Sequence, residues 1–206
     1  MSTRTPAGGP TMVNVVLTHS ALGLDSNLES WAEWLRGEGH EVIAPDLYGG
    51  DTFDTLEAGL QRLESIEMNK VVQALQAIAS ELDEPVVLMG FALGAAASEI
   101  AALTEKGVAG LILVGAASSP EWFGNPPWPK GLKAQVHYAA EDPTVEPAEV
   151  EALVESAPPG ALEVFKYPGG AHLFAFPNYV DYDPLAADRL RTAVRAFLIE
   201  VAEAAH

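Results

Sequence analysis

Three short segments carry residues whose types and spacing could do acyl-transfer chemistry. The first is Gly90-Phe91-Ala92-Leu93-Gly94. Glycines two residues either side of a central position let a strand double back sharply into a helix. The residue between them is strained and stands above the sheet, which is how a nucleophile is presented. Here that residue is Ala92, which has no reactive atom. The second segment is Glu141-Asp142-Pro143 and the third is Gly170-Ala171-His172. An acid after one strand and a histidine after the next complete the chain order nucleophile, acid, histidine. In such a set the histidine abstracts the nucleophile's proton, while the acid fixes its tautomer and stabilises its cation. Each segment also has a plainer reading. Small residues can serve packing at a strand–helix turn, Asp142 can open a turn with Pro143, and His172 can cap a loop. Their order on consecutive strands favours the catalytic reading.

The elements that must position these residues alternate between apolar runs and helical patterns. The sequence predicts strands over 12–18, 41–44, 86–90, 109–115, 134–138 and 162–167. Helices are expected over 26–39, over most of 55–82 with a break near 65–69, over 93–106, over 147–156, and from Pro184 onward. Ser26 and Glu29 read as a capping box, Gly107 as a C-terminal cap, and Asp183 with Pro184 as a helix start. Leu28, Trp31, Ala32 and Leu35 form one apolar stripe; Ala187, Leu190, Val194, Phe197, Leu198 and Val201 form another. Strand–helix alternation with nearly continuous apolar strands predicts an α/β fold with a parallel sheet covered on both faces. Chemistry in such sheets lies beyond the carboxyl ends of the strands, where all three segments fall.

Five pieces together resemble the dienelactone hydrolase family of the α/β-hydrolase superfamily, in a short form. They are His19-Ser20-Ala21-Leu22-Gly23, Pro45-Asp46-Leu47-Tyr48, the Gly90–Gly94 turn, Glu141-Asp142-Pro143 and Gly170-Ala171-His172. The resemblance implies an α/β-hydrolase fold with about six mostly parallel strands in the order 2-1-3-4-5-6. It implies His172 as base, Asp142 rather than Glu141 as its orienting acid, and position 92 as the nucleophile's place. The backbone N–H groups of Leu93 and Ala21 would form the oxyanion hole. Ala92 departs from the family's cysteine or serine, and Ser20 stands where cysteine-using members carry a glutamate, which points to serine as the residue replaced. Phe176 occupies the place of an arginine that binds a substrate carboxylate, so a small dianionic lactone does not suit this chain.

Around that centre, His19, Ser20, Tyr48, Trp122, Phe174 and Phe176 are candidates to line a substrate pocket, with Phe123 and Trp128 as further loop aromatics. For His19 and the loop aromatics, local hydrogen bonding or packing is the competing reading. His137 reads as structural, and Glu146, Glu149, Glu151 and Glu155 as a solvated helix face. No spacing suggests a metal site or a dinucleotide fingerprint, and no cofactor is expected.

Length and 49% hydrophobic composition allow one domain over 12–206, with 1–11 as a disordered lead-in lacking a signal peptide's apolar core. A net charge of −18 disfavours nucleic acid and anionic membranes as partners. The absence of cysteine excludes disulfides and suits the cytoplasm. The expected partner is a small ester, lactone or related molecule. Three functions remain open: an ester or lactone hydrolase present in an inactive form whose nucleophile has been replaced, a non-hydrolytic lyase, isomerase or cyclase using His172 as general base, and a binding pseudoenzyme.

Overall fold

The computed structural model describes residues 12–83 and 85–205, so the expected lead-in over 1–11 lies outside the described residues. In chain order the elements are β1 (Asn14–Thr18), α1 (Ser26–Gly37), β2 (Glu41–Ile43), α2 (Leu56–Leu63), α3 (Met68–Ser80), β3 (Val86–Phe91), α4 (Leu93–Thr104), β4 (Val108–Val114), a 3₁₀ turn (Pro120–Phe123), β5 (Lys133–Ala139), α5 (Pro147–Ser156), β6 (Leu162–Tyr167) and α6 (Pro184–Ala204). The strands form one sheet in the order β2-β1-β3-β4-β5-β6, and every neighbouring pair is parallel.

Alternation along the strands divides the core in two. Val15, Leu17, Val87, Met89 and Ile112 face α1 and α6, where Trp31, Leu35, Leu190 and Val194 meet them. Val16, Leu88, Leu111, Leu113 and Val136 face α3, α4 and α5, where Leu75, Ala101 and Leu153 pack. Each large apolar side chain so buried stabilises the fold by about 1.5–3 kcal/mol. Ala95, Ala97, Ala101 and Ala102 on α4 are fully buried, and their small size lets that helix lie close against the sheet.

Two helix caps differ from the sequence expectation. Asp25, not Ser26, caps α1, because its carboxylate accepts from the N–H groups of both Asn27 and Leu28. The cap of α4 is Glu105 in an extended conformation, and Gly107, at φ +91°, serves the following turn. Asp183 and Pro184 open α6 as read. Among the described residues, no helix is long and apolar enough to cross a membrane.

Candidate active site

The turn between β3 and α4 is dictated by steric necessity. Ala92 sits at φ 50°, ψ −109°, a conformation L residues rarely adopt, at a cost of order 1–3 kcal/mol. Its N–H donates to the Val114 carbonyl on β4 at 2.7 Å. A Cβ on Gly90 would fall 2.3 Å from the carbonyl carbon of Gly94, and one on Gly94 would fall 2.5 Å from the Thr18 oxygen. Only glycine fits either place. The Thr18 hydroxyl lies 3.1 Å from the Met89 carbonyl, 2.9 Å from the Gly94 carbonyl and 2.8 Å from the Ser98 hydroxyl. Thr18 can donate only to the carbonyls, so Ser98 donates to Thr18, and the end of β1 is tied to the turn.

The acid and the histidine come from adjoining loops. Ala140 N–H donates to the Tyr167 carbonyl at 2.7 Å and Glu141 N–H to the Gly169 carbonyl at 2.9 Å. These bonds lock the loop after β5 to the loop after β6. Asp142, with a fully buried side chain, places Oδ2 2.7 Å from His172 Nδ1. Glu141 contributes only backbone and is exposed. A carboxylate can only accept, so Nδ1 carries the proton and the Nε2 lone pair is free. Among the described residues Nε2 has no hydrogen-bond partner. The imidazole lies over Gly115, with Cε1 3.3 Å from the place a Cβ would take there. Gly115 directly follows the Val114 carbonyl that binds Ala92, so ring and turn converge. A side chain at 115 would displace the ring.

The N–H groups of Leu93 and Ala21 donate to no acceptor among the described residues. The Ala21 loop is held from several sides. Leu22 N–H donates to the Ser20 hydroxyl at 3.2 Å, and Phe53 N–H to the Leu22 carbonyl at 2.9 Å. α2 presses Gly59 so close that a Cβ would fall 1.9 Å from the Ala21 oxygen. Gly94 approaches the loop from the other side, 2.6 Å from its hypothetical Cβ to the His19 oxygen.

Of the residues expected to line a pocket, His19, Ser20, Tyr48, Phe174 and Phe176 are buried and Trp122 is exposed. His19 is fully buried. Its Nε2 accepts from Leu47 N–H at 3.0 Å, so Nδ1 donates to the Ser20 carbonyl at 2.7 Å. Burial lowers its pKa, and the neutral ring stitches the β1 and β2 loops together. Ser20 is likewise buried. Tyr48 is buried edge-on to His19 and Phe53, and its hydroxyl donates to the Gly59 carbonyl at 3.4 Å. Phe176 packs on Phe91, and Phe174 on Tyr167, both inside the core. Trp122 is 77% exposed, while Phe123 and Trp128 pack against the core. Large rings gain more from core burial than from lining an open site, which is why Tyr48, Phe174 and Phe176 are buried, whereas Trp122 stays on the surface.

Of the four acids read as a solvated face, Glu146, Glu151 and Glu155 are exposed as expected, and Glu149 is the exception. Glu149 accepts from Ser119 N–H at 2.6 Å and from Trp122 Nε1–H at 2.8 Å. Glu99 of α4 accepts from Ser118 N–H at 2.9 Å. Burial, with Glu149 nearby, pushes the Glu99 carboxyl up to about 8. These two acids hold the loop that leaves Gly115 beneath His172, and sequence reasoning missed them. His137 is structural: it is buried between the Tyr167 hydroxyl and the Gln135 amide and stacked on Phe165, and burial holds its pKa down to about 3. A cleft of about 470 Å³ opens beside the Ala21 loop, lined by Leu22, Asp25, Asn27, Phe53 and Tyr179. A groove of about 650 Å³ between β6 and α6 contains none of the site residues.

A parallel sheet in this order, with a tight strand–helix turn and an acid-held histidine beyond its carboxyl ends, is an α/β-hydrolase architecture. The chain belongs to the dienelactone hydrolase family, whose model matches residues 3–202. Among solved structures it is similar to a dienelactone hydrolase-like promiscuous phosphotriesterase, P91, from metagenomic libraries (TM-score 0.74, 21% identity, 92% of this chain and 86% of that one). It is also similar to a Klebsiella pneumoniae protein described as a dienelactone hydrolase (0.74, 20%, 93% and 88%). A third is a monoacylglycerol lipase from Paleococcus ferrophilus (0.67, 16%, 91% and 94%). At these identities the likeness is one of fold. No curated protein sequence matches the chain significantly.

Proposed function

We propose that this chain is an ester or lactone hydrolase in a form that cannot make an acyl-enzyme, because alanine occupies the nucleophile's position. The observation that carries this reading is the 2.7 Å contact between His172 Nδ1 and Asp142 Oδ2, set over Gly115 beside the strained Ala92 turn. In the reaction served by this arrangement, a hydroxyl at position 92 attacks the carbonyl carbon while His172 Nε2 takes its proton. Leu93 and Ala21 N–H stabilise the oxyanion. The tetrahedral intermediate collapses to an acyl-enzyme as His172 protonates the leaving alcohol. Water then repeats the sequence and releases the acid. With Ala92 the first bond cannot form. Loss of a triad nucleophile costs on the order of 10⁶ in kcat, leaving roughly 10³–10⁴ over water from the oxyanion hole and binding.

The test compares the given chain, Ala92→Ser, and Ala92→Ser with His172→Ala on p-nitrophenyl esters and simple lactones. Turnover is expected only in Ala92→Ser. A folded Ala92→Ser chain without turnover overturns the reading and favours His172 as a general base in a reaction with no covalent step.

A further inference from the structure

The hydroxyl of Thr144 touches both members of the acid–histidine pair. Its Oγ1 lies 2.7 Å from Asp142 Oδ1 and 2.8 Å from His172 Nδ1, and its own N–H donates to the same Oδ1 at 2.9 Å. Three polar contacts, Nδ1 to Oδ2, Nδ1 to Oγ1 and Oγ1 to Oδ1, must be satisfied by the protons available. The carboxylate supplies none. The Thr144 proton therefore goes to Oδ1, and the imidazole proton is shared between Oδ2 and Oγ1. The opposite assignment, with Oγ1 donating to a bare Nδ1, would set two lone pairs against each other at 2.7 Å twice over. The hydroxyl is thus compatible with one tautomer only, the one that leaves Nε2 free to take a proton.

We infer that Thr144 is a positioning residue of this site: it grips the imidazole at a second point and sets its tautomer and plane. The assignment rests on the reading of His172 as the base. One acceptor leaves the ring free to pivot about a single hydrogen bond, whereas two acceptors on either side of Nδ1–H fix its plane over Gly115. When Nε2 takes a proton, the cation meets the Asp142 charge and a second acceptor together. The Asp142 side chain is fully buried, while Thr144 itself is an exposed residue.

Thr144→Val keeps the shape and deletes the hydroxyl; Thr144→Ser restores it. In the chain as it stands, with Ala92, nitrogen-15 and proton NMR of the His172 ring reads the tautomer and the exchange of Nδ1–H with water. Losing a hydrogen bond to a group that becomes charged is expected to speed that exchange about tenfold in Thr144→Val, with Thr144→Ser near the parent. In the Ala92→Ser background the same loss should lower kcat about tenfold with KM unchanged. Thermal unfolding confirms that each variant is folded. An unchanged Nδ1–H signal and exchange rate in folded Thr144→Val overturns the inference. Because the NMR measurement needs no turnover, failure of the hydrolase reading (Ala92→Ser inert, ring exchange altered) is distinct from failure of the Thr144 assignment (Ala92→Ser active, ring exchange unaltered).

Discussion

Glu99→Gln should stabilise the protein, and increasingly so as the pH rises. Glu99 is fully buried on α4, and burial moves its carboxyl from the ordinary 4.5 up to about 8. In the unfolded chain the group ionises near its ordinary value. Between these two values the folded state holds a proton that the unfolded state has lost, so stability falls as pH rises through this window and the loss is complete above about 8. At up to 1.36 kcal/mol per pH unit, less near the two ends of the window, the contribution changes by about 3.5 kcal/mol between pH 5 and pH 8. Glutamine keeps an oxygen for the Ser118 N–H and never ionises. The stability difference between Glu99→Gln and the parent should therefore grow by about 3.5 kcal/mol over that range, or roughly 7–14 °C in Tm for a chain of this size. Urea unfolding of both proteins at pH 5, 6, 7 and 8 measures it. Histidine titrations common to both proteins cancel in the difference. Parallel stability–pH curves for the two would refute the argument that Glu99 is buried uncharged.

Gly94→Ala should destabilise by about 1–3 kcal/mol or more, since its Cβ would fall 2.5 Å from the Thr18 oxygen and 2.6 Å from the His19 oxygen, both backbone. Gly37→Ala is the control: a Cβ there meets nothing within 4 Å and should gain about 0.5–1 kcal/mol of helix stability. Urea midpoints separate the two. His137, held down to about 3 from 6.5 by burial, should remain neutral at pH 5. Below its ordinary value the unfolded chain takes up a proton that the folded one refuses, so this group lowers stability on acidification. Its imidazole NMR shift should be flat from pH 8 to 5, and a midpoint above 6 would contradict the burial argument.

The parts of the structure legible in the sequence were those where one physical requirement leaves one solution. Apolar runs broken by helical stripes allow little besides a covered parallel sheet, and Gly90 and Gly94 bracket a turn that nothing larger can make. The α1 cap was misplaced by one residue because Asp25 and Ser26 are both good caps, and only the backbone path decides that the longer carboxylate reaches two N–H groups. The aromatics misled because size alone does not say whether a ring lines a site or fills a core. Phe176 was captured by Phe91 and the nearby Trp31, contacts made across the fold. Thr144 and Glu149 were invisible for a related reason. Asp142-Pro143-Thr144 reads as a turn, and Glu149 is one acid among four, until folding brings His172 to the first and Ser119 to the second.

Everything proposed for this site depends on residue 92 being the place of the nucleophile and His172 its base. The most direct test is covalent labelling of Ala92→Ser by a serine-directed fluorophosphonate, read by intact mass and peptide mapping, beside the parent and Ala92→Ser with His172→Ala. One adduct per chain is expected, on residue 92, in Ala92→Ser only. Labelling elsewhere, labelling that survives His172→Ala, or a folded Ala92→Ser chain that takes no label would contradict it.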